Sequence, residues 1–282
     1  MPLRAYSRAD LQGLHPSIYN LIYWVLKSYA NGTISGFKYP PFIHAMQMQV
    51  PVPSQTLVNC FNIARKFDHP LPEVGRRSAK SSKREMSKTS ELAASDFTDI
   101  DILTIFQAYL TYTMIAFFRL DLRKNLSFLR EAMMRLQDLA YIASKQGLTS
   151  SADQQHTRPS WEAWLVTEAK RRTLYVLYLF DNVLSLQQGL PTFLETEIRG
   201  LPAPCSKSLW EAKTRREWDE KYNDHLVQWP GGGLRIDELW PIPADFNGAS
   251  ITRRRSRVDQ WLVDVDEFGM MVYTVLSCTY GR

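Results

Sequence analysis

Glu168 and Arg172 stand four residues apart in a stretch that otherwise repeats apolar side chains at three- and four-residue steps. Trp161, Trp164, Leu165, Tyr175, Leu179 and Asn182 share the stripe. A carboxylate followed by a guanidinium at that spacing meets its partner on a helix face. In a dry setting such a carboxylate could act as a general acid, or the pair could neutralise itself. An orphaned buried charge costs several kcal/mol, which favours a structural ion pair of Glu168 and Arg172 beneath two packing anchors, Trp161 and Trp164.

The other chemistry-bearing residues are scattered. His15, His44, His69, His156 and His225 form no H-E-x-x-H or comparable ligand pair, and no G-x-S-x-G nucleophile turn occurs. Each histidine is expected at the surface or as a structural residue. Asp96, Asp99 and Asp101 lie near a helix start, where carboxylates can hold Mg²⁺ with a diphosphate. Their spacing suits no tight pair, and favourable charge at a helix N-terminus explains them more simply. Gly231-Gly232-Gly233 lacks the Lys-Ser/Thr of a phosphate loop and reads as a flexible turn. Cys60, Cys205 and Cys278 are too few and too far apart for a disulfide framework or a zinc cage. No catalytic, cofactor-binding or metal residue is therefore expected.

The elements that must position these residues read as helices. Pro16 suits a first turn, with Ile18, Leu21, Ile22, Val25, Leu26 and Tyr29 behind it and Asn31-Gly32 as the stop. Ser54 can cap a helix through Phe67, and Thr98 or Asp99 one running to about Phe118. Leu122–Gln146 reads as its antiparallel partner, ended by Gly147. Ser160 caps the long helix from Trp161 to about Gln188, before Gly189 and Pro191. Further helices are expected over Leu209–Leu226 and Val258–Cys278. The class is all-α, an irregular multi-helix bundle with long loops.

Of 282 residues, 45% are hydrophobic and 22% charged, ordinary values for a globular chain. Ile102–Phe118 is the best membrane candidate, but Thr104, Gln107, Thr111 and Thr113 interrupt it, and a buried helix in a soluble protein explains it better. The N-terminus carries no signal-peptide pattern, since Arg8 and Asp10 break any apolar run. The net charge of +5 is concentrated in Gly75–Ser90; outside that stretch basic and acidic residues are equal in number. Gly75–Ser90 holds only two apolar residues, Ala79 and Met86, and a disordered basic loop is expected at about 70–97. Arg76, Arg77, Lys80, Lys83, Arg84 and Lys88 would then serve as a nuclear-import signal. Arg253-Arg254-Arg255 with Arg257 reads as a solvated helix start, neutralised by the acids after it.

Ser160-Trp161-Glu162-Ala163-Trp164, Glu168 to Thr173, Phe180-Asp181 and Gly189-Leu190-Pro191 resemble the regulatory middle homology domain of fungal-specific transcription factors. Gly200-Leu201-Pro202, Leu209-Trp210-Glu211-Ala212 and Arg257 to Leu262 continue the likeness. The resemblance implies one helical regulatory domain over 1–282 that modulates RNA polymerase II transcription in the nucleus and does no chemistry. Its partners would be proteins of the transcription machinery, a co-regulator or a small-molecule effector. Such factors read DNA through a separate zinc cluster or pair of zinc fingers. No C-x₂-C pair occurs here, so no sequence-specific DNA contact, zinc or other cofactor is expected in this chain. The alternative is an all-α enzyme or carrier for a small apolar ligand.

Overall fold

The computed structural model describes residues 15–49, 54–68, 72–91, 97–120, 126–190, 198–242 and 246–280. Among them the fold is all-α, with backbone pairing limited to two isolated bridges, Pro202 with Arg235 and Ser206 with Val265.

Helix α4 (Asp99–Arg119) is the axis of the bundle, with every residue from Ile102 to Phe117 buried. It is long and apolar enough to cross a membrane, yet 89% of its apolar window lies inside the fold. Its polar residues tolerate this because each is satisfied. Thr111 and Thr113 donate to the carbonyls four residues earlier, both at 2.8 Å, and Gln107 donates to Phe42 O at 2.7 Å. Thr98 and Asp101 cap the helix reciprocally. Around it pack α1 (Pro16–Ser35), α2 (Gln55–Arg65), α5 (Leu126–Lys145) and α7 (Trp161–Gln187). Helix α1 runs past Asn31-Gly32 because Thr33 and Ile34 are buried; it stops at Gly36, whose φ of +70° suits glycine.

The basic segment is a correction. Pro72–Glu91 forms helix α3 rather than a disordered loop; residues 70–71 and 92–96 lie outside the described residues. Ser78, Ser82 and Met86 follow at four-residue steps and are buried, in a helix that packs on α2 and α4. Ser82 Oγ donates to Ser78 O at 3.0 Å, so its hydroxyl needs no water. Small serines at helical spacing thus supply a contact face that a count of apolar residues misses. Arg77, Lys80, Lys83 and Arg84 point to solvent, and Lys83 Nζ sits 5.3 Å from the Phe128 ring centroid.

Two expected helices are broken in two. Leu209–Leu226 divides into α8 (Lys207–Trp210) and α9 (Arg215–Gln228), where Thr214 starts a new cap by accepting from Glu217 N–H at 3.2 Å. Val258–Cys278 divides into α10 (Gly248–Val263) and α11 (Glu267–Tyr280). Asp266 makes this second break, accepting from Gly269 N–H at 2.9 Å. The cluster Arg253–Arg257 therefore lies inside α10, not at a solvated start. Arg254 donates to the carbonyls of Glu238 and Trp240, and Arg257 pairs with Glu238 at 2.6 Å. These half-buried arginines fasten α10 to the 3-10 turn Ile236–Leu239.

Candidate functional site

Helix α7 carries an unbroken run of four charged or polar residues, Lys170 to Thr173, in the interior beside Glu168. Ser160 accepts from Ala163 N–H at its start, and Trp161 and Trp164 seat its first turns in a second core with Leu209, Trp210, Trp218 and Tyr222. The structure thus places the two tryptophans in packing positions, both under a tenth exposed.

Glu168 is fully buried and gathers four donors. Arg171 gives Nε at 3.1 Å and Nη2 at 2.7 Å, Arg172 gives Nε at 2.9 Å, and the backbone N–H of Cys205 stands at 3.0 Å. Arg172 also reaches Asp266 Oδ2 at 2.5 Å and lies 4.2 Å over the Trp210 ring. Arg171 reaches Leu148 O at 3.0 Å and Asp153, on the short helix α6 (Ser151–Gln155), at 3.5 Å. Burial by itself would raise the Glu168 carboxyl; the Arg171 and Arg172 guanidinia outweigh it and hold the group down at about 2. Burial likewise opposes the charge on both arginines, and their acidic partners overcome it, so both stay ionised.

The pair expected from the spacing is therefore one contact of a larger network. The neighbouring buried cation Lys170 makes a separate pair with Asp99 of α4, at 2.9 Å. The spacing of the Trp161 stripe marks none of Arg171, Asp153 and Asp266 as partners of Glu168. The i,i+3 step from Glu168 to Arg171 was a usable signal; the contacts from Asp153 and Asp266 are long-range and carried none.

The remaining candidates fall elsewhere. Asp101 is spent on the cap of α4 and Asp99 on Lys170, while Asp96 and His69 lie outside the described residues. His15 caps α1. His44 is buried: its Nε2 donates to Trp210 O at 2.7 Å, and Nδ1 accepts from Met46 N–H at 3.2 Å. Burial pushes its pKa down to about 4, so the ring is neutral at pH 7. Cys60 is buried, Cys205 half-buried and Cys278 exposed, each on a different segment. Among the described residues no group of three His, Cys, Asp or Glu side chains could hold a metal ion.

Beside the network lies a cavity of about 660 Å³, walled by Cys205, α9, the Gly231–Gly233 turn and the C-terminal part of α10. The glycine run is not loose. Arg257 holds the carbonyls of Gly232 and Gly233, both at 3.1 Å. Gly232 has φ +84°, and a Cβ there would stand 2.7 Å from His156 Cε1. Arg171 and Asp153 also border this cavity, so the network forms part of its floor.

Residues 69–240 match the family described as the fungal specific transcription factor domain. A relative, transcription factor PfmaH of Pestalotiopsis fici, is 27% identical over 92 residues, covering 33% of this chain and 10% of the relative. This chain thus matches about a tenth of that protein's length. No solved structure matches. The family match spans more than half of the chain, takes in the whole of the Trp161-led helix, and agrees with the all-α fold; the chain belongs to the fungal specific transcription factor domain family.

Proposed function

We propose that residues 1–282 form a single regulatory domain that modulates RNA polymerase II transcription in the nucleus. It answers to a small effector or a protein partner, and leaves DNA reading, with any zinc, to a separate module. The family supports transcription regulation as such. The observation that carries the finer reading is the 3.0 Å bond from Cys205 N–H to Glu168 Oε1, because Cys205 also walls the cavity. Whatever occupies the cavity presses on a backbone segment that holds a buried carboxylate. That carboxylate is tied through Arg172 to Asp266, at the head of α11. A ligand that prefers one arrangement of this network shifts the population of the whole body.

The test is a tethered reporter, with the chain fused to an unrelated DNA-binding domain upstream of a reporter gene. Output that departs from that of the DNA-binding domain alone supports the reading; identical output at equal nuclear abundance contradicts it. The nuclear assignment is supported by the exposed Arg77, Lys80 and Arg84 on α3. Replacing all three by Gln leaves the buried serine face intact, and is expected to lower the nuclear share of a fluorescent fusion. An unchanged share would remove α3 from the import role.

A further inference from the structure

One wall of the 660 Å³ cavity is an aromatic stripe on α9. Trp218, Tyr222, His225 and the C-cap residue Trp229 follow at steps of four, three and four, with neighbouring ring centroids 4.8, 5.5 and 6.3 Å apart. Trp164 of α7 extends the series, 5.4 Å from Trp218. Of these rings, Trp164, Tyr222, His225 and Trp229 border the cavity. Its volume falls within the ~300–1,000 Å³ typical of small-molecule sites.

Two polar groups on this wall are unspent. Neither the Tyr222 hydroxyl nor the His225 imidazole has a hydrogen-bond partner among the described residues, and neither hydroxyl nor ring nitrogens are sealed from the cavity. Polar groups that face an open volume with no protein partner are free to bond a ligand that enters it. Burial holds the phenol protonated and disfavours the imidazolium, so each can both donate and accept at neutral pH. The inner charged groups, by contrast, are already satisfied. Arg171 is held by Glu168 and Asp153, and Asp264 accepts from Ser208 Oγ at 2.6 Å. At the rim, Lys221 and Asp224 are exposed and of opposite sign.

We propose that this cavity binds an uncharged, planar aromatic molecule bearing a hydroxyl group, its ring against the α9 stripe and its hydroxyl on Tyr222 and His225. The assignment rests on the regulatory reading in one respect only, that such a molecule would be the effector. A charged ligand is disfavoured because the interior offers it no free counter-charge. A purely apolar ring would leave both polar groups unpaired.

The test uses the whole chain and three probes sharing one ring: 5-hydroxyindole, indole and indole-5-carboxylate. Binding is followed by ligand-observed NMR and calorimetry. Saturable binding of 5-hydroxyindole is expected, about tenfold tighter than indole, the equivalent of one satisfied hydrogen bond, and tighter again than the carboxylate. In Tyr222→Phe the preference for the hydroxyl should shrink while indole affinity holds, with circular dichroism confirming the fold. No saturable binding, a preference for the carboxylate, or a hydroxyl preference that survives Tyr222→Phe combined with His225→Leu would each overturn the proposal. The tethered reporter separates the two claims. Altered transcription without probe binding removes the site and keeps the regulatory role; probe binding without altered transcription does the reverse.

Discussion

Replacing Glu168 by Gln changes one atom type in the interior, and its cost follows from the contacts. The carboxylate accepts three arginine N–H bonds and one from Cys205. In the amide, one oxygen becomes a donor facing donors, and the negative charge between two buried guanidinia is gone. Breaking a buried pair from one side costs roughly 3–5 kcal/mol. Arg172 retains Asp266 at 2.5 Å, and Arg171 retains Leu148 O and the part-exposed Asp153, which places the loss toward the low end, about 3 kcal/mol. Urea unfolding would read this as a lower midpoint at unchanged slope. The control is Glu162→Gln, whose pairing with Arg215 lies between side chains 58% and 61% exposed, and which should cost under about 1 kcal/mol. A double-mutant cycle of Glu168→Gln with Arg172→Gln should return a coupling of about 2 kcal/mol. If Glu168→Gln costs no more than Glu162→Gln, the network does not hold the core and the reasoning fails.

Acid should act in two steps. The His44 pKa is depressed by burial from 6.5 to about 4, so its contribution is full above pH 6.5 and is lost as pH falls toward 4. His225, lowered by burial as well, adds to the loss that begins below 6.5. The Glu168 contribution is full above its ordinary 4.5 and is lost only as pH falls toward about 2. Urea midpoints measured from pH 8 to 3 should therefore stay level to near 6.5, fall, then fall again below 4.5, and His44→Asn should flatten part of the first decline. Gly232→Ala forces a side chain onto φ +84° and against His156, and should lower stability by about 1–2 kcal/mol in thermal unfolding. His156→Ala should recover only the steric part of that loss.

The parts of this fold that were legible in the sequence are those with local causes. Thr98 and Ser160 announce α4 and α7 by capping, and the Trp161 stripe marks the helix that carries Glu168. The errors share a physical origin. Helix α3 reads as a disordered loop because Ser78 and Ser82 count as polar by type, although a helical serine can bond its own backbone and pack as a small residue. The breaks before α9 and α11 depend on side chains that cap a new helix inside an apolar pattern, Thr214 and Asp266. In the sequence Asp266 reads only as one of the acids that follow and neutralise Arg253–Arg257. The cavity was invisible for another reason. It is made where Cys205, α9 and the Gly231–Gly233 turn converge, and no local periodicity encodes that meeting.

In the proposed function the Glu168 network joins the cavity wall to a body that regulates transcription. Its most direct test is reporter output per folded nuclear molecule for the tethered chain, wild type against Glu168→Gln, at a temperature where both are folded. A severalfold change in output per molecule is expected. Equal output per molecule would leave Glu168 as scaffolding alone and contradict the claim.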